Sequence, residues 1–110
     1  MFLPKCPVEV TLTIIGSKWT VLIIRELLSG TKRFNELKRA IAGISQKVLT
    51  AQLRDMENNG LITRTVYPEV PPKVEYSLTE LGYSLKGILD ALQVWGEEYV
   101  KKEASEDFKN

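Results

Sequence analysis

The stretch RFNELKRAIAGISQKVLTAQLRDMENN, residues 33–59, constrains the fold more than any other part of the chain. Phe34, Leu37 and Ile41 recur at spacings of three and four, the mark of one helix face. Ala42-Gly43-Ile44 interrupts that pattern, and glycine tolerates the positive φ that a tight turn requires. Ser45 is a natural helix cap, and Leu49, Leu53 and Met56 restore the helical spacing behind it. Asn58-Asn59-Gly60 closes the second helix. Two short helices joined by a tight turn describe a helix-turn-helix, whose second helix enters the DNA major groove. The following GLITRTVYPEVPPKVEYSLTELG holds a β-rich run, a proline-broken loop over 68–73 and an alternating return strand. That reads as a two-stranded wing.

The flanking segments read as helices. Pro7 suits the first turn of one, because its missing N–H would be unpaired there. Val8, Leu12 and Ile15 then share a face, and Gly16 ends it. Ser17 is placed to cap the next helix, about Lys18 to Leu28, which is apolar almost all round and is expected at the domain centre. Thr79 is placed to cap one long last helix. Its Leu81, Leu85, Ile88, Leu92, Trp95 and Tyr99 follow the 4, 3, 4, 3, 4 spacing of a heptad seam. The seam outruns the reach of so small a core, so it is expected to hold a second copy, with Leu12 of the first helix joining. After Val100 the chain turns polar and is expected to fray. The expected fold class is mainly α with a small β-wing. It is one winged helix-turn-helix domain over 1–110, with the motif at 33–59, the wing at 61–78, a dimerisation helix at 79–101, and N- and C-terminal helices that dimerise.

Composition limits the chemistry. A chain of 110 residues supports one core. Its longest apolar run, Val21 to Ile24, falls far short of the ~20 residues that span a bilayer. No signal-peptide core precedes Glu9, so a cytoplasmic protein with no membrane partner is expected. There is no histidine and one cysteine. No His/Cys metal cluster, imidazole base or nucleophile–base pair can form, so no metal, no cofactor and no enzyme activity are expected. Charge is uneven: residues 17–66 carry nine basic and four acidic side chains, residues 67–110 five and nine. The first part is therefore the expected partner of a polyanion.

On the second helix of the motif, Lys47, Thr50, Ala51 and Arg54 fall opposite the apolar stripe. No acid lies between Ser45 and Arg54. Helix N-termini bind phosphate, Gln reads adenine, and Lys or Arg reads guanine or binds phosphate. Gln46, Thr50 and Arg54 are therefore expected near base edges, with Ser45 and Lys47 near phosphates. Arg33 beside the motif and Lys73 on the wing are further DNA-binding candidates.

The segment GSKWTVLIIRELLSGTKRFNELKRAIAGISQKVLTAQLRDMENNGLITRTVYPEVPPKVEYSLTELG resembles the HxlR-type family of bacterial winged-helix regulators, distant relatives of the MarR type. The GSKWT opening, the RFNEL helix, the GIS turn, the GLI exit, the VPPKVEYSLT wing and the following LG carry the resemblance. It runs from Cys6 to Trp95. The resemblance implies homodimers, binding of a palindromic double-stranded operator, and a role as repressor or activator.

Cys6 precedes Pro7 at a helix start, with Lys5 beside it. Helix N-termini and nearby cations both stabilise a thiolate in general. In several members of the family that the chain resembles, a cysteine at this position senses oxidants or electrophiles. Cys6 is thus a redox-sensing candidate, although with no second cysteine it cannot close an internal disulfide. Two other readings stand beside the DNA-binding one. One is a winged-helix module that binds protein. The other is a regulator that takes a small-molecule effector, of unknown identity, near Trp19, Tyr83 and Trp95. Those three aromatics are otherwise expected in the core.

Overall fold

The computed structural model describes residues 3–109. Helix α1 spans Pro7–Ile15 and helix α2 spans Lys18–Leu27. A two-residue strand β1, Lys32–Arg33, leads into α3, Phe34–Ala40, and the turn at Gly43 leads into α4, Gln46–Asn58. Strands β2, Ile62–Tyr67, and β3, Lys73–Leu78, form the wing. A short α5, Glu80–Tyr83, precedes the long α6, Lys86–Lys109. The fold is a winged helix-turn-helix, mostly helical with one small antiparallel sheet.

The core lies where α2, α3, α4 and the sheet converge. Ile23, Ile24 and Leu27 of α2 are buried there with Leu37, Ile41, Leu49, Leu53 and Met56. All three residues of the α4 stripe expected to face inward do so. Gly43 takes φ 79, as its turn requires. Ser45 caps α4, its hydroxyl oxygen accepting the Val48 N–H at 3.1 Å.

The structure departs from expectation at five places. The wing sheet has three strands in the order β1-β3-β2, because Lys32 pairs with Tyr76 and Arg33 with Glu75. Ser17 holds the N-cap position of α2 but makes no cap bond, and its Oγ is buried without a partner. The last helix is not continuous from Thr79: Ser84 and Leu85 break it. Gly82 packs against the Leu61 carbonyl and the Leu78 side chain, which ties α5 to the sheet. Leu85 then turns toward the core, where Leu89 is buried. Helix α6 also runs on to Lys109 and does not stop near 101. Its Lys, Glu and Ala there are good helix formers. Finally, Tyr83 and Trp95 are not core residues, at 48% and 68% exposed, and only Trp19 packs on the core. Apolar side chains look alike in sequence whether they meet the core or the outside.

Candidate nucleic-acid interface

Helix α4 presents its outer side as an open depression lined by Gln46, Lys47, Thr50, Ala51 and Arg54. The geometry follows from 3.6 residues per turn: once Leu49, Leu53 and Met56 are buried, these positions face away. Four of the seven sequence-proposed contacts thus share one surface. Ser45 lies exposed at its N-terminal edge, where the first-turn N–H groups open outward. Thr50 donates its hydroxyl proton to the Gln46 carbonyl at 2.8 Å. What it offers outward is a methyl group and an oxygen acceptor, suited to a thymine methyl or a cytosine amino group.

The two cations on this surface are unspent. Among the described residues, ion pairs join Arg25 to Glu26, Lys73 to Glu75 and Lys86 to Asp90, and none involves Lys47 or Arg54. A neighbouring cleft of about 400 Å³ joins α4 to the sheet, and Arg54 and Arg64 both line it, with Phe34, Glu57 and Tyr76. Arg64 lies on β2 beside the motif only because the sheet folds back on α4. Sequence spacing alone gives no such proximity.

The other two candidates sit apart from the depression. Arg33 belongs to β1 and is the residue before α3, where its own N–H bonds the Glu36 carboxylate at 2.9 Å. Its side chain is on the exposed side. Lys73 is less free than expected: its ammonium is 3.6 Å from Glu75 and lies 4.8 Å from the Tyr67 ring centroid. Both contacts hold it along the wing.

The HxlR-like helix-turn-helix profile matches residues 14–104. The chain belongs to that family. It is 51% identical over 94 residues to the HTH-type transcriptional regulator YdeP of Bacillus subtilis, covering 86% of this chain and 73% of YdeP. The crystal structure of a putative HTH-type regulator, ytcD, superposes with a TM-score of 0.82 at 52% identity, covering 87% of this chain and 98% of that one. The redox regulator HypR in its oxidised form superposes with a TM-score of 0.80 at 49% identity, covering 84% and 96%. Solved regulators of the MarR family share the fold. The protein is therefore a transcriptional regulator of HxlR type, built on a DNA-binding helix-turn-helix. YdeP, ytcD and HypR are each named as regulators.

A second surface concerns assembly. Leu12, Ile88, Leu92, Trp95 and Tyr99 are all exposed, with Leu12 at 62% and Leu92 at 51%. Trp95 and Tyr99 stack on each other, ring centroids 5.4 Å apart. Leu85 stands apart from these, half-buried against the core. Between α1, the start of α2 and α6 lies an apolar groove of about 550 Å³, walled by Val8, Leu12, Val21, Ile88 and Leu92. It is not walled by the aromatics expected around an effector. Cys6 lies next to this face, exposed, as the N-cap residue of α1. Among the described residues no single helix is long and apolar enough to cross a membrane.

Proposed function

We propose that two copies of this chain pair through α1 and α6 and bind a palindromic double-stranded operator with their two α4 helices. The observation that carries this reading is the open, acid-free depression on α4, with Gln46, Lys47, Thr50 and Arg54 together on it. Arg54, Gln46 and Thr50 read base edges, while Ser45, Lys47 and Arg33 hold phosphates. Lys73 anchors the wing over the backbone. One helix gives few base contacts; a dyad doubles them over half-sites ~34–36 Å apart. The apolar face of α1 and α6 is the surface the dyad would cover. Such a protein works in the cytoplasm, where its DNA is.

The test is fluorescence anisotropy on duplexes selected from a random pool, across a salt series. Log affinity falls linearly with log salt, with a slope set by the number of phosphates neutralised. Binding that is absent even in dilute buffer refutes the reading and leaves the protein-binding module in its place.

A second reading concerns control. Cys6 is exposed at the start of a helix that lies along the proposed dimer face, and the similar HypR is a redox regulator. We infer that Cys6 is oxidised to a disulfide, either with Cys6 of a second copy or with a small thiol. A two-electron oxidant such as diamide takes both electrons as two thiols join in one S–S bond, and it accepts their two protons. Intact mass after diamide, with and without glutathione, checks it: an unmodified monomer mass in both samples removes the sensor.

A further inference from the structure

A cavity of about 560 Å³ lies between the α1–α2 corner and the C-terminal half of α4. It is separate from the DNA-facing depression, on another side of the same helix. Its chemistry is one-sided. Asp55 is the one charged side chain among its lining residues, and no lysine or arginine joins it. Asp55 takes part in none of the ion pairs among the described residues. Asn58 and Asn59 add amide groups from the end of α4.

The inner wall is polar and organised. Among the described residues Thr20 is the buried polar one, and its Oγ1 donates to Gln52 Oε1 at 3.0 Å. Ser17 also lines this wall, with its Oγ buried behind the surface. The corner adds a carbonyl. The Ser17 N–H bonds the Ile15 oxygen at 2.8 Å, which leaves the Thr13 carbonyl without its helical donor. Both α1 and α4 point their C-terminal, electronegative ends at this region. The one formal charge among the lining residues is negative.

We propose that this cavity binds a small organic cation, an ammonium or guanidinium held by Asp55 and by the surrounding hydroxyl, amide and carbonyl oxygens. The same helix carries Lys47, Thr50 and Arg54, so an occupant would fix α4 against the α1–α2 corner. That consequence rests on the DNA-binding reading; occupancy of the cavity does not.

The experiment uses the full chain and putrescine as the probe. 1,4-Butanediol, neutral and of the same shape, is the control, with sodium chloride at matched ionic strength. Putrescine at about ten times its dissociation constant should raise the melting temperature by several degrees. In a ¹H–¹⁵N correlation spectrum it should shift Ser17, Thr20, Gln52 and Asp55 together. Asp55→Asn should abolish both effects, while Glu69→Gln, which removes one carboxylate from the wing loop, should keep them. Shifts confined to the acidic part of α6, an equal response to butanediol, an undiminished response in Asp55→Asn, or no response at all would each overturn the proposal. None of these outcomes bears on duplex binding, so the two readings fail separately.

Discussion

Replacing Gly82 by alanine should destabilise the protein although it adds a better helix former. Gly82 lies in α5, where alanine by propensity gains about 1 kcal/mol. Packing opposes this. A Cβ at position 82 would overlap the Leu61 carbonyl oxygen and stand 2.8 Å from Leu78 Cδ2. Neither neighbour can yield cheaply. Leu61 is fully buried, and its carbonyl accepts the Thr79 N–H at 3.0 Å. Leu78 is buried in the sheet-side core. Forcing an extra methyl into a packed site costs about 1–3 kcal/mol, and loosening the Leu61–Thr79 bond adds about 1 kcal/mol. Against the propensity gain, the net loss is about 2 kcal/mol. For a domain of this size that lowers the melting temperature by on the order of 10 °C. Gly87 is the internal control. It is the second residue of α6, and a Cβ there meets nothing within 4 Å. Gly87→Ala should therefore stabilise, by about 0.5–1 kcal/mol. Urea and thermal unfolding at one fixed protein concentration measure both. If the two variants shift in the same direction, the close approach of α5 to the sheet is not what positions the last helices.

The remaining predictions concern the DNA and dimer faces. Arg54→Ala should weaken specific operator binding by ~1–3 kcal/mol and relax selectivity at one base position. Lys47→Ala should weaken all duplexes alike and lower the salt slope by about one; equilibrium titrations on matched and scrambled duplexes separate the two. Ser45→Ala removes the cap on α4 and should cost about 1 kcal/mol of stability in urea unfolding. Trp95→Ala touches no core residue but should weaken self-association by about 2 kcal/mol, near 30-fold, if Trp95 anchors the dimer. Sedimentation velocity over a dilution series reads that loss, and an unchanged dimer removes Trp95 from the interface.

The sequence exposes the parts of this fold that repeat locally. The α4 stripe of Leu49, Leu53 and Met56 and the Ser45 cap lie within one helix, so spacing alone places Gln46, Lys47, Thr50 and Arg54 on its outer side. What it hides depends on distant partners. Strand β1 is two residues long and exists only because β3, some forty residues later, lies beside it. The break at Ser84 and Leu85 follows a close approach of Gly82 to Leu61, distant in sequence, and the heptad spacing across positions 81–99 masks it. The heptad seam places Trp95 beyond the core, but the exposure of Tyr83 is hidden, because a core and an outer face can carry the same side chain. The cavity beside Asp55 joins residues 13–20 to residues 52–59, and no short motif encodes it.

The shape of the subunit argues for coupling between association and folding. A compact domain of this length has a radius of gyration of about 13 Å, whereas this chain has 16.6 Å and is 59 Å long. The excess is consistent with α6, a helix of 24 residues that at 1.5 Å per residue reaches roughly 36 Å. Only its start is anchored to its own core, through Leu89 and the preceding Leu85. From Leu92 onward its apolar side chains, Val94, Trp95, Tyr99 and Val100, are all exposed. Helices gain most of their stability from a packed face, and short isolated ones are marginal in water. The far half of α6 therefore has little of its own to hold it, and in the proposed pair a second copy would supply the missing contact. Pairing of that kind would order α6, while α1 packs on α2 and α2 bonds α4 through Thr20 and Gln52. In the proposed dimer, a change in how α1 and α6 meet would reach α4 through one packed helix and one hydrogen bond. It needs no hinge within the winged domain.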